Sequence, residues 1–213
     1  MKAHTIFITI VITLAVGIGV WREARVTHES AQVEKELKLL SGTLLPGGKS
    51  LPSIQLTDQN NDNFDNNSLK HNWSFMFFGY TNCPDICPTT LSALAHISQR
   101  IGPNPYVQYL FVSITPELDT AEQLTKFFSK DEFKLTRFRG LTGDMQQIQS
   151  LAQDLGIYIE EQTDVLEGAH IGHSGAILLV NPQGELAAIF TSVDKPHRIA
   201  HDFKEIMAHN RLG

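Results

Sequence analysis

Cys83 and Cys87 are the only two cysteines among 213 residues. They stand together in Thr81-Asn82-Cys83-Pro84-Asp85-Ile86-Cys87-Pro88. Two thiols at i and i+4 on one helical turn share a face, about 6 Å apart between Cα atoms. That separation permits a disulfide. It equally permits both sulfurs to grip one soft metal ion. A helix N-terminus carries partial positive charge and lowers a thiol pKa, which supplies the thiolate that either chemistry needs. Pro84 and Pro88 stiffen the turn, since each fixes its own φ and removes a donor. A staple closing so short a loop adds little stability, so the pair reads as redox thiols, as metal ligands, or as both. With two cysteines in all, a multi-disulfide scaffold and a four-cysteine zinc site are excluded.

Thiol–disulfide exchange needs nothing beyond the two sulfurs, whereas a metal site needs a third ligand. His173, in His170-Ile171-Gly172-His173-Ser174-Gly175, is the best candidate because it borders an expected buried strand that would hold it rigidly. Two thiolates and one imidazole suit Cu(I) and also hold Cu(II); zinc would call for a fourth protein ligand or water. Other histidines compete. His170 sits three residues earlier and is a possible auxiliary ligand. His197 and His201 fall at i,i+4 on the last expected helix, a chelating spacing that reads more simply as a polar helix face. Met76 lies in an expected buried strand and belongs to the core. Asp85 faces solvent or a partner rather than a soft metal.

Alternating segments must position these residues. Trp73–Tyr80 (WSFMFFGY) is a continuous apolar run, as expected of a strand buried on both faces, and Val107–Ile114 is a second. Helices are expected at Pro88–Ile101, Ala121–Ser129 and Met145–Leu155, with a last one from near Pro196. Ile54–Thr57, Ala176–Val180 and Leu186–Phe190 read as strands, the last two joined by the turn Asn181-Pro182-Gln183-Gly184. The Asn-rich stretch Gln59–Asn67 reads as a turn region, and Pro46-Gly47-Gly48 as a break in the chain. This pattern is an α/β sandwich around a central mixed sheet. Hydrophobic residues make up 42% of the chain, enough for a real core and too many for a disordered chain.

Thr5–Trp21 carries no charge over 17 residues, just long enough for a spanning helix. Trp21 stands where an interfacial aromatic would anchor, and Arg22 and Arg25 follow. The run reads as an uncleaved anchor, with a cleaved signal peptide as the alternative because Ala15-Val16-Gly17 is a weak cleavage pattern. The expected organisation is an anchor over residues 1–22, a stalk over 23–41 with a short polar helix at Glu29–Leu40, and a domain over 42–213. The expected place is a bacterial inner membrane with the domain facing the periplasm. Net charge is −6, and residues 42–213 carry 12 basic against 19 acidic side chains. No basic excess supports recognition of nucleic acid through phosphates.

The stretch Phe77–Pro88 (FFGYTNCPDICP) resembles the signature of the Sco/SenC family. Val112–Thr120 (VSITPELDT) resembles the family's second motif, and Gly140-Leu141-Thr142-Gly143 its third. His173-Ser174, followed by Ala176–Val180 and the Asn-Pro-Gln-Gly turn, resembles the segment that carries the family's histidine ligand. The resemblance runs in order over about residues 43–208, with the N-terminal anchor in addition. It implies a membrane-anchored, thioredoxin-like fold in which Cys83, Cys87 and His173 bind copper. It implies delivery of copper to the binuclear site on cytochrome c oxidase subunit II, or reduction of that site's cysteines, with an upstream copper donor or thiol reductant as a further partner. Two positions depart from the family pattern: Thr115 and Gly172 each stand where an acidic residue is usual.

A rival reading is a thiol oxidoreductase or peroxidase that holds no metal. Cys87-Pro88-Thr89 is similar in part to the peroxiredoxin motif, with Cys87 as attacking thiolate. The Pro and Thr that such enzymes place before that cysteine have no counterpart here, where the matching positions hold Tyr80 and Pro84.

Overall fold

The computed structural model describes residues 39–133, 138–160 and 171–210. The expected anchor Thr5–Trp21, the stalk as far as residue 38, and His170 lie outside the described residues. Among those described, no helix is long and apolar enough to cross a membrane. One compact unit spans Leu39–Gly213.

The centre of the fold is β4 (Trp73–Gly79), all seven residues of which are buried. It forms because a run of aromatic and aliphatic side chains has sheet neighbours on both edges and cover on both faces. β5 (Val107–Ser113) and β6 (Phe138–Thr142) extend the sheet in parallel on one side. On the other side, β7 (Ile177–Val180) runs antiparallel to β4. β8 (Glu185–Phe190) pairs with β7, and the edge strand β1 (Thr43–Ser50) pairs with β8. β2 (Gln55–Asp58) and β3 (Asn63–Asp65) close the opposite edge, giving the order β1-β8-β7-β4-β5-β6-β2-β3. The expected α/β architecture with a mixed sheet is observed.

Four α-helices are described. α1 (Ile86–Ile101) follows β4 and packs against α4 (Pro196–Asn210). α2 (Ala121–Phe128) packs on β6, and α3 (Met145–Asp154) follows that strand. Thr120 caps α2 by accepting the Gln123 N–H, and Asp144 caps α3 by accepting that of Gln147; each satisfies one of the donors a helix start leaves open. Alternate residues of a strand face one side, so Trp73, Phe75, Phe77 and Gly79 share a face. Phe203 of α4 meets Trp73 and Phe75 there, at ring separations of 5.7 and 5.1 Å. The last position on that face, Gly79, is left to α1.

Three strands or boundaries differ from expectation. The chain does not break at Pro46-Gly47-Gly48. It stays in β1, whose register slips between Leu44 and Lys49, with both glycines at positive φ. An edge strand tolerates this because its outer N–H groups have no ladder partner to lose. β6 was hidden by Arg139 and Gly140, which interrupt any apolar run. Gly140 is required there: a Cβ would lie 2.9 Å from the Phe128 ring and 3.2 Å from Leu124. β3 lies within the stretch Gln59–Asn67 expected to be a turn, with Phe64 as its buried residue.

Asp58, 2% exposed at the end of β2, joins the sheet edge together. It accepts the N–H groups of Asn60 and Asp62 at 2.8 and 3.0 Å and the Arg139 Nε–H at 2.8 Å. Burial pushes its carboxyl up, but the two backbone donors and the guanidinium outweigh this and hold it below the ordinary value. A depressed folded pKa adds stability that is present above the unfolded value and is lost as pH falls through the folded one. Asp58→Asn is therefore expected to cost about 1–3 kcal/mol at neutral pH, with the gap to wild type narrowing below about pH 4. Urea midpoints at pH 7 and pH 3 measure this, and an equal gap at both would refute it.

Candidate metal centre

Cys83 does not lie on a helical turn with Cys87. α1 begins at Ile86 rather than Pro88, and Cys83 sits in the preceding turn, its N–H donated to the Tyr80 carbonyl at 3.2 Å. Pro88 is tolerated in the first turn of α1 because its missing donor would have had no helical acceptor. The N-cap Asp85 makes no side-chain capping bond. The Cys83 sulfur accepts the Cys87 N–H instead, at 3.4 Å. The i,i+4 spacing thus brings the thiols together through a cap rather than a shared helix face. Both are reduced and buried.

Cys87 points back at the end of β4. A Cβ at residue 79 would lie 2.7 Å from its sulfur, 2.9 Å from the Phe77 ring and 3.0 Å from that of Phe111. No side chain fits between strand and sulfur, which is why a glycine ends β4.

His173 reaches the sulfurs from the far end of the chain. It pairs with Ile159 in an antiparallel bridge. Glu160 N–H donates to Gly172 O at 2.8 Å, and Ser174 N–H to Tyr158 O at 3.0 Å, so a short ladder fixes the strap that carries the imidazole. The Phe77 and Tyr80 rings flank it at 5.9 and 5.8 Å. Its Nδ1 lies 3.2 Å from the Ser174 carbonyl. A carbonyl only accepts, so the proton of the neutral ring belongs on Nδ1 and the Nε2 lone pair faces the sulfurs. Nε2 is 3.3 Å from Cys87 Sγ and 3.8 Å from Cys83 Sγ. The three ligand atoms lie within 4.8 Å of one another, the one such cluster of three or more metal-binding side chains among the described residues.

This donor set fits a soft monovalent or borderline divalent ion: two sulfurs, one imidazole with a defined tautomer, and no carboxylate among them. Burial pushes the Cys87 thiol far above its ordinary value, reinforced by the Cys83 sulfur and by the charge of Asp119. The expected lowering by the helix N-terminus is therefore overridden, because desolvation of a thiolate outweighs a partial charge. A cation held there would reverse the balance, since Cys83 and Cys87 would bind it as thiolates.

Two features around the site escaped the sequence reading. Asp119, 1% exposed, accepts from Thr81 N–H at 3.1 Å, from Thr81 Oγ1, and from Ser113 Oγ at 2.7 Å. It ties the cysteine loop to the end of β5. Thr115 also donates to it at 3.2 Å, so this hydroxyl stands where an acid would oppose a second carboxylate. Gly172 donates its N–H to Glu160 Oε2 at 2.9 Å, and a Cβ there would meet that same oxygen at 2.9 Å. The only signal of Asp119's role was its place in the VSITPELDT stretch. His197 and His201 stand on the exposed face of α4, Met76 is fully buried, and Asp85 is exposed, as read from the sequence.

Gly79→Ala is expected to drive the Cys87 sulfur from its seat and to destabilise the fold by about 1–3 kcal/mol. Chemical denaturation reads the loss, and alkylation of Cys87 in the native state becomes faster. Unchanged alkylation and an unchanged midpoint would show that the strand end has room to spare.

The SCO1/SenC family model matches residues 48–208. A Stutzerimonas stutzeri protein, whose name assigns it copper binding provisionally, is 39% identical over 145 residues, covering 67% of this chain and 70% of that one. A SCO2-like protein of Rickettsia felis is 27% identical over 208 residues, covering 96% and 98%. The structure of Bradyrhizobium japonicum ScoI with copper bound is 29% identical, has a TM-score of 0.63, and covers 73% of this chain and 98% of its own. With the family model spanning most of the domain and the two sulfurs and the imidazole assembled at the end of β4, the chain belongs to the SCO1/SenC family.

Proposed function

We propose that the chain is a copper carrier, held at the outer face of a bacterial inner membrane by Thr5–Trp21. It would supply the binuclear copper site of cytochrome c oxidase subunit II. The observation that carries this reading is the convergence of Cys83 Sγ, Cys87 Sγ and His173 Nε2 within 4.8 Å. The copper-bound ScoI relative and the family motifs support it. Copper here is cargo. As Cu(I) it is satisfied by the two thiolates; as Cu(II) it also draws on the imidazole nitrogen. The Ser174 carbonyl, holding the proton on Nδ1, keeps that nitrogen available.

The same thiols can prepare the acceptor. Cys83 is 8% exposed and Cys87 1%, so Cys83 is the sulfur that meets a partner disulfide. Its thiolate attacks and one partner thiolate leaves. Cys87, giving its proton to His173 Nε2 at 3.3 Å, then displaces the second. The chain ends with a Cys83–Cys87 disulfide and the partner with two thiols, a transfer of two electrons. A groove of about 370 Å3 opens beside both cysteines, lined in part by Leu91, Ala95, Phe127 and Phe133. It gives an acceptor or a thiol reductant a way to the site. The peroxidase reading is disfavoured, since a peroxide-reducing cysteine needs an accessible thiolate and Cys87 is neither accessible nor readily ionised.

Anaerobic loading of the reduced full chain with Cu(I) is expected to give one copper per chain. Cys83→Ser and Cys87→Ser should each abolish tight Cu(I) binding; wild-type affinity in Cys83→Ser would move the site elsewhere. His173→Ala should weaken Cu(II) by more than the roughly 10–100-fold that losing a ligand's outer partner costs, while Cu(I) binding holds. Mild oxidation of the metal-free chain should join the two cysteines and abolish loading. The anchor is tested by the N-terminal sequence of the mature protein, and a start after residue 15 would replace the anchor by a cleaved signal.

A further inference from the structure

Gly172 immediately precedes the histidine, and its backbone conformation does not explain why it is a glycine. It is not among the glycines at positive φ, so no left-handed conformation calls for one there. The space of the missing side chain is taken by the Glu160 carboxylate, whose Oε2 lies 2.9 Å from where a Cβ would stand. The same oxygen accepts the Gly172 N–H at 2.9 Å. The Glu160 N–H in turn donates to the Gly172 carbonyl at 2.8 Å. One residue therefore holds both backbone polar groups of its neighbour across the ladder.

The register of the ladder shows why that hold matters. His173 faces Ile159 in an antiparallel bridge. Its two bonds, from Glu160 N–H to Gly172 O and from Ser174 N–H to Tyr158 O, fall on the neighbours of the pair. This is the non-hydrogen-bonded position of an antiparallel ladder, so the bridge places the imidazole through residues 172 and 174. Glu160 Oε2 adds a further bond on the side of residue 172, and a carboxylate acceptor makes it stronger than a neutral one. Any side chain at residue 172 would displace that oxygen. An acid would do so by bulk and by like charge. A carboxylate at 160 and an acid at 172 thus exclude each other, and the departure at Gly172 opens the place that Glu160 fills.

We propose that Glu160 is a positioning residue for His173, and that residue 172 is a glycine so that the Glu160 carboxylate can clamp the backbone before the imidazole. The acid usual at 172 is replaced in this chain by one on the facing segment. Cu(II), which draws on the imidazole nitrogen, depends on the clamp; Cu(I), satisfied by two sulfurs, does not. That consequence rests on the copper reading, whereas the clamp itself belongs to the metal-free chain.

Glu160 is exposed, so Glu160→Ala leaves the core intact. In the reduced, metal-free full chain, exchange of the Ser174 amide, on the far side of His173, is expected to quicken about fivefold, the size of one net hydrogen bond. Glu160→Gln keeps an acceptor oxygen and should stay within about twofold of wild type. Gly172→Asp should quicken Ser174 exchange as Glu160→Ala does, and should add nothing in the Glu160→Ala background, since both remove the same bond. On copper loading, Glu160→Ala is expected to lower Cu(II) affinity about fivefold and to hold Cu(I) affinity within about twofold. Unchanged Ser174 exchange in Glu160→Ala would overturn the clamp. A Gln variant no better than Ala, additive effects of the two substitutions, or equal losses of Cu(I) and Cu(II) would overturn it as well. A wild-type chain that bound no copper would refute the copper reading alone, since Ser174 exchange is read without metal.

Discussion

The space of a single missing methyl group, at the end of β4, determines where the chemistry sits. Because Gly79 has no Cβ, the Cys87 sulfur lies directly against the strand end, in a gap that a Cβ would enter at 2.7 Å. That approach draws the start of α1 down onto the sheet. It brings the preceding turn, and Cys83 with it, to the same place. His173 then closes the third side from a strap laddered to residues 158–160. Close-packed interiors transmit small steric changes over several residues, so the glycine governs side chains that it does not touch.

Burial gives this assembly its electrostatic character. The buried Cys87 thiol cannot ionise at ordinary cost and is accordingly held protonated. Such a site has two ways of relieving the cost of thiolate charge: binding a cation or forming a disulfide. Each excludes the other, because a disulfide sulfur is no longer a thiolate ligand. Metal binding and disulfide formation would thus be two states of one cluster rather than two sites.

Polar ties outside the cluster hold the geometry in place. The Asp119 carboxylate would be costly to bury alone. Its partners come from the cysteine loop at Thr81 and from the end of β5 at Ser113 and Thr115. It fixes the loop's base while leaving the sulfurs free to change ligands. The two departures from the family pattern belong to this outer layer. Thr115 donates to Asp119, and Gly172 gives its side-chain space to Glu160. Neither replaces Cys83, Cys87 or His173; each leaves its own position uncharged.

The sequence by itself determined the features that depend on local pattern. The apolar run over 73–80 marked the central strand, because burial on both faces leaves no polar position. The amphipathic stretches marked the helices, and the cysteine spacing with a histidine at a strand edge marked the three side chains that converge. What only the tertiary structure decided depends on contacts between distant residues. It showed that β1 survives Pro46-Gly47-Gly48, since an edge strand absorbs the irregularity, and that β6 is a strand despite Arg139 and Gly140, since β5 supplies its pairing. It placed Cys83 before the helix as a cap, Gly79 against a sulfur, Asp119 beneath the loop, and Tyr80 against Ile171. Helical and strand periodicity reports which face of an element is apolar. It carries no information on which element will meet that face, so packing and long-range hydrogen bonds decided those positions.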